Sequence, residues 1–222
     1  MLSKLMGLLL WLLALAQAAC LAFAWWDAEP PSAEGAVKAL AVSVAVATGV
    51  GTILILLGRG SGKEILRKEA IAMVGLSWLI CAGFGALPYM LGEPRLDPVA
   101  AWFESMSGFT TTGATAIADL RVYPRALLLW RAVTQWLGGL GILVLFVALL
   151  SSLGVGSKAL FLNESTARSG AGGLQERIQD LAARLWQIYV GLSAICCLGL
   201  IGLGMSPDRK STRLNSSHRI RS

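Results

Sequence analysis

Asp97-Pro98-Val99-Ala100-Ala101-Trp102-Phe103-Glu104-Ser105-Met106-Ser107-Gly108-Phe109-Thr110-Thr111-Thr112-Gly113-Ala114-Thr115-Ala116 joins two patterns that seldom adjoin. Asp97 is a good helix N-cap and Pro98 a good first helical residue. Val99 to Phe109 is rich in apolar and aromatic side chains, and Gly108 is placed to end a helix of about ten residues, roughly 15 Å long at 1.5 Å per residue. That is half the hydrocarbon thickness of a bilayer. So apolar a stretch is out of place in an aqueous connection, yet it is too short to cross a membrane; a helix that enters the bilayer and turns back explains both. Entering from outside, it aims its partially negative C-terminal end at the membrane centre, where it favours a cation. The return through Thr110 to Thr115 is then an extended strand whose carbonyl oxygens can replace the water around a dehydrated cation. Gly113 reaches backbone angles that strain other residues, and Thr hydroxyls can hold neighbouring backbone groups. A Thr- and Gly-rich run by itself reads as ordinary loop. The capped half-helix before it and a span on each side favour a filter.

The rest of the chain supplies the membrane. Of 222 residues 55% are hydrophobic and only 14% charged, and the mean hydropathy of +0.66 is too high for a soluble domain of this length. The net charge of +6 does not indicate nucleic acid, because Lys and Arg sit in short loops and in the last residues rather than on one helical face. Cys20, Cys81, Cys196 and Cys197 lie in apolar segments away from metal-ligand partners and read as small buried hydrophobes. No catalytic set accompanies the sole histidine, His218, and no phosphate-cradling loop stands out, so neither enzyme chemistry nor a cofactor is expected.

Five runs are long enough to span a bilayer: Leu5 to Trp26, Val37 to Leu57, Ala70 to Met90, Leu127 to Leu150 and Leu185 to Met205. The first also resembles a cleaved leader, but Gln17 fits poorly before Ala18-Ala19-Cys20 and the apolar run continues to Trp25 and Trp26, an interfacial anchor. The connection Asp27 to Ala36 lacks Lys and Arg, whereas Gly58 to Glu69 carries Arg59, Lys63, Arg67 and Lys68, which places the N-terminus in the cytoplasm. Leu91 to Ala126 then lies outside. Ser151 to Arg184 lies inside, with Gln175 to Arg184 as a helical lead into the fifth span. Val74-Gly75-Leu76-Ser77 recurs as Val190-Gly191-Leu192-Ser193, and Cys81, Gly83 and Leu87 recur as Cys197, Gly199 and Leu203, an internal repeat of the kind from which transporters are built.

Two side constellations bear on the filter. Glu104 in the half-helix and Arg131 near the outer end of the fourth span are costly charges at such depth; they either pair and brace the filter or reach water and backbone carbonyls separately. Gly138, Gly139 and Gly141 favour close helix packing over a hinge. Gly154-Val155-Gly156 and Gly170 to Gly173 read as cytosolic loop.

These segments, in this order, resemble the Trk, Ktr and HKT superfamily of potassium transporters, in its membrane subunit. The resemblance rests on Phe103 to Thr115, on Trp130-Arg131 followed by Gln135-Trp136-Leu137-Gly138-Gly139-Leu140-Gly141-Ile142, and on Gly75-Leu76-Ser77-Trp78 leading to Leu87-Pro88-Tyr89, and it runs from Met1 to about Pro207. It implies two leading helices followed by four units of span, pore helix, filter and span around one pore, paired as a homodimer in lipid. It further implies a cytosolic, nucleotide-binding, TrkA-like ring protein as regulator, contacting the loop after Leu150. Thr110, Thr111, Thr112 and Gly113 would form one quarter of the filter, with potassium at Thr111, Thr112 and Gly113.

The expected architecture is therefore an all-α integral membrane protein of the inner membrane, with five transmembrane helices, one re-entrant pore helix and an extended filter loop. Residues 1–69 would hold the leading helices and a cytoplasmic loop, 70–150 the first complete unit, and 151–207 a cytoplasmic loop and the first span of a second. Residues 208–222, polar and basic where a second pore helix should begin, resemble translated sequencing-adaptor read-through, so that the chain is expected to be an incomplete part of its pore. Potassium uptake, passive or coupled to protons or sodium, is the leading function. A non-conducting scaffold or regulatory subunit acting through its inner loops is the alternative, and it has no need of a capped half-helix followed by a Thr-Gly strand.

Overall fold

A computed structural model describes residues 2–27, 32–60, 67–153 and 173–202. These form six α-helices: α1 (Leu2–Trp26), α2 (Ser32–Leu57), α3 (Arg67–Leu91), α4 (Pro98–Phe109), α5 (Arg125–Leu153) and α6 (Gly173–Gly202). Two 3-10 turns, Gly58–Gly60 and Leu120–Val122, complete the described secondary structure, which contains no strand. The chain divides into two compact units at Leu145 and Phe146, within α5.

In the first unit α1 and α2 form an antiparallel hairpin that packs on α3. Both helices are long and apolar enough to cross a membrane. Because they are apolar on nearly every side, small residues rather than an apolar stripe set their contact. A Cβ on Gly7 would meet the Gly51 carbonyl and Ile55, and one on Gly51 would meet Trp11 at 2.8 Å. Such close backbone approach replaces the hydrophobic driving force that helices lack in lipid.

Pro88 lies inside α3. A proline in that place has no N–H for the carbonyl one turn earlier, that of Phe84. Gln17 Nε2 on α1 donates to this carbonyl at 3.2 Å, and the Gln17 side chain is fully buried. A neighbouring helix thus repairs the backbone bond that proline removes, as an apolar environment requires.

The connection from α3 to α5 contains α4, packed along α3. Asp97 caps it as expected, its carboxylate accepting from the N–H groups of Val99 (3.0 Å) and Ala100 (3.1 Å), with Pro98 in the first turn. At 12 residues and about 18 Å, α4 is slightly longer than the sequence suggested, and Gly108 does not end it. Thr110 is the C-cap; its hydroxyl and its N–H both donate to the Met106 carbonyl at 2.8 Å. Gly108 serves a different purpose: a Cβ there would collide with the Thr134 hydroxyl of α5. The cause is tertiary, because only the packing of α4 on α5 fixes which small residue must stay small.

Beneath α4 lie Tyr89 of α3 and Leu127 and Trp130 of α5, all fully buried, with Trp130 Nε1 donating to the Gly85 carbonyl at 2.9 Å. Outside this core, Arg125 at the start of α5 pairs with Asp27 at the end of α1, at 3.0 Å.

In the second unit α6 begins at Gly173, which makes the Gln175 to Arg184 lead helical as expected. The repeated segments 74–87 and 190–202 are both helical, the latter as far as it is described. Leu192, Ile195 and Leu198 are exposed on α6. Gly154-Val155-Gly156, Gly170 to Gly172 and the tail 208–222 lie outside the described residues.

Candidate functional site

The segment after α4 is held to that helix by its own N–H groups. Thr111 N donates to Gly108 O (2.9 Å) and Thr112 N to Ser107 O (3.0 Å). These two bonds form a Schellman closure, which requires a left-handed residue at its first position past the cap. That residue is Thr111, with φ 56°. A β-branched residue there costs about 1–2 kcal/mol, so the closure holds Thr111 against its preference.

The geometry has a direct consequence for the carbonyls. In a planar trans peptide the N–H and C=O point in opposite directions. With the N–H groups of Thr111 and Thr112 turned back onto α4, the carbonyls of Thr110 and Thr111 face away from it. Thr110 lies at φ −80° and Gly113 at φ 76°, so φ alternates in sign from Thr110 to Gly113. Alternation of this kind collects successive carbonyls on one side, whereas a β-strand places them on alternate sides. Thr111, Thr112 and Gly113 are exposed in the chain, and the Thr110 and Thr112 hydroxyls lie 2.8 Å apart.

The other side of the segment is anchored to a buried carboxylate. Glu104 is 1% exposed. Its Oε2 accepts from Thr115 Oγ1 (2.9 Å) and from the Ala116 N–H (2.8 Å), while its Oε1 accepts from Arg131 Nε (2.5 Å). Arg131 Nη2 reaches on to the Gly113 carbonyl at 3.3 Å, and Ser107 Oγ donates to the Ala114 carbonyl at 2.6 Å. A charge this deep is tolerable because it is both paired and hydrogen-bonded. Of the two readings open to Glu104 and Arg131, the structure adopts the pair. The Gly113 carbonyl keeps a second lone pair for a ligand.

Gly138 shows close packing rather than a hinge, since a Cβ there would fall on the Phe109 carbonyl at the end of α4. Gly141 is looser, with the Trp78 ring 3.5 Å from its would-be Cβ. Tyr123, in the connection to α5, is buried; burial first, and the Glu104 charge second, hold its phenol above the ordinary range.

All the sequence-predicted site residues, Thr110, Thr111, Thr112, Gly113, Glu104 and Arg131, are thus brought together around the C-terminal half of α4. Sequence reasoning missed the anchoring parts played by Ser107, Thr115 and the Ala116 N–H. Only the Thr115 hydroxyl carried any signal, as one more member of the Thr-rich run. Among the described residues no group of three or more His, Cys, Asp or Glu is placed to hold a metal ion. The site's donors are uncharged oxygens, which suit a hard, weakly held monovalent cation.

The family model for TrkH, described as a cation transport protein, matches residues 38–215. The Trk system potassium uptake protein TrkH of Halomonas elongata is 39% identical over 175 residues, covering 78% of this chain and 36% of that protein. TrkH of Escherichia coli K12 is likewise 39% identical, over 173 residues, with 78% and 36% covered. The crystal structure of the potassium transporter TrkH from Vibrio parahaemolyticus superposes with a TM-score of 0.76 at 30% identity, covering 93% of this chain and 40% of that one. The chain spans about a third of the length of the curated relatives it matches.

Proposed function

The chain belongs to the TrkH family of cation transport proteins, transporters rather than enzymes, and from that premise we propose that it lines part of a pore for potassium uptake across the inner membrane. In this reading α1, α2, α3, α5 and α6 cross the bilayer and α4 enters from the outer side, with the N-terminus cytoplasmic. The loop charges and the length and apolarity of the helices support that topology.

Thr110, Thr111, Thr112 and Gly113 form one segment of the selectivity filter, and potassium meets the oxygens of Thr111, Thr112 and Gly113. The reading is carried by one observation: the Schellman closure directs the N–H groups of Thr111 and Thr112 onto α4, so that the carbonyls of the same two peptides, those of Thr110 and Thr111, are offered to an ion instead of to the protein. The partially negative C-terminal end of α4 adds to the attraction. Glu104 and Arg131 hold the segment at its outer end. One segment gives a dehydrated ion too few oxygens; further segments of the same kind complete the ring in the longer protein. That protein pairs as a homodimer and takes its regulation from a cytosolic nucleotide-binding ring protein at the loop after Leu150.

The test replaces Gly113 by Ser or Asp in a chain extended with its downstream coding sequence, and measures potassium-limited growth and rubidium uptake. Loss of selectivity is expected. Parental selectivity in both variants refutes the filter assignment.

A further inference from the structure

Ser107 on α4 spends its hydroxyl outside its own helix. A helical serine or threonine can donate to the carbonyl four residues earlier, and this chain does so elsewhere: Ser43 to Ala39 (2.7 Å), Thr52 to Thr48 (2.7 Å) and Ser193 to Tyr189 (2.8 Å). Ser107 is buried, yet its Oγ donates to the Ala114 carbonyl at 2.6 Å. Its own carbonyl accepts from the Thr112 N–H at 3.0 Å. One residue thus grips the returning segment on both sides of Gly113. The grip is itself seated, because a Cβ on the next residue, Gly108, would collide with Thr134 of α5. Gly113 has φ 76° and open space where a Cβ would stand, so packing on that side does not hold it. Its two gripped neighbours do, together with the contact from Arg131 Nη2 to its carbonyl at 3.3 Å.

The direction of each peptide follows from these bonds. The Thr110 and Thr111 carbonyls face away from α4, whereas the Ala114 carbonyl is drawn toward it. In a planar trans peptide the Thr115 N–H then points away from α4. We propose that Ser107 is the positioning residue that ends the row of coordinating carbonyls at Gly113: it withdraws the Ala114 oxygen from the ion path and leaves the Thr115 N–H, which repels a cation, in its place. The inference rests on the filter reading of Thr110 to Gly113. Without the hydroxyl the Ala114 carbonyl faces α4 with no donor, a costly state that turns it outward toward water or an ion. The ion then meets one more oxygen, free to close in on a smaller cation such as sodium.

The test is made in the chain extended with its downstream coding sequence. Rubidium and sodium uptake are compared in Ser107→Ala, which deletes the donor, and Ser107→Cys, which keeps a side chain of similar shape but donates weakly. Both should lower the ratio of rubidium to sodium uptake several-fold. Thermal stabilisation by potassium relative to sodium reads ion preference even where uptake is lost, and it should fall in parallel. Parental preference in Ser107→Ala overturns the proposal, as does parental preference in Ser107→Cys alone, which would mean that volume matters and the bond does not. A variant with no cooperative melt would assign Ser107 to folding and overturn it equally. Replacing Thr115 by its α-hydroxy acid gives a readout that side-chain packing does not move: the link from Ala114 becomes an ester, whose carbonyl is a weaker acceptor, and every side chain stays. Its loss of selectivity should not add to that of Ser107→Ala, whereas additive losses contradict a shared bond. Gly113→Ser separates the two failures. If it loses selectivity while Ser107→Ala keeps it, this inference falls and the filter stands; if Gly113→Ser also keeps parental selectivity, the filter reading falls with it.

Discussion

Arg131 binds Glu104 and Gly113 at once, its Nε 2.5 Å from the Glu104 carboxylate and its Nη2 3.3 Å from the Gly113 carbonyl. The planar guanidinium makes this possible, since its donors diverge at fixed angles. The Glu104 side chain is fully buried and that of Arg131 is 19% exposed, so the pair is a buried one by its acidic member. In the proposed filter, a cation that leans on the Gly113 carbonyl would by itself repel a passing ion. The Glu104 charge, held against the same guanidinium, cancels most of that repulsion.

Charge reversal at either member therefore has a large expected effect. Breaking a buried pair costs about 3–5 kcal/mol, and both Glu104→Lys and Arg131→Glu should abolish rubidium uptake by the extended protein. Arg131→Lys keeps the charge but not the fork; it should retain uptake while weakening discrimination against sodium. Uptake unchanged by either reversal would show that the pair does not support the filter.

The bond from Gln17 to Phe84 predicts a coupling with Pro88. Gln17→Leu leaves the Phe84 carbonyl buried without a donor, at about 1–3 kcal/mol. Pro88→Ala restores the missing N–H within α3, and in that background Gln17→Leu should cost much less. A double-mutant cycle on thermal unfolding in detergent measures the difference directly. Additive effects would mean that Gln17 is not the partner that replaces the proline's absent donor.

Gly138 and Gly141 lie one turn apart on α5 and should differ sharply. Alanine at Gly138 must push the end of α4 away, since its Cβ falls on the Phe109 carbonyl, and overpacking of this kind costs about 1–3 kcal/mol. Alanine at Gly141 meets the Trp78 ring at ordinary contact distance. Melting temperatures of the two variants settle the point, with Gly138→Ala the lower.

The two left-handed residues give opposite expectations. No atom lies within 4 Å of a Cβ built on Gly113, so Gly113→Ala acts through backbone angle alone and should destabilise by about 1 kcal/mol. Thr111→Gly removes the strain at φ 56° and should be neutral or stabilising. Thermal unfolding that fell equally for both would contradict the Schellman closure at Thr111.

The linear sequence determined the helical class, the capped half-helix and the place of the candidate site directly after it. Each depends on a signal a few residues long: apolar runs of bilayer length, Asp97 before Pro98, and a Thr-Gly strand after an apolar turn. It could not tell that Thr110 rather than Gly108 closes α4, that Gln17 completes a bond broken by Pro88, or that Glu104 holds Thr115, Ala116 and Arg131 together. Those outcomes were decided by contacts between residues up to 67 positions apart, as in Gln17 and Phe84, where burial makes every unmatched donor or acceptor costly and so selects the partner from a distant helix.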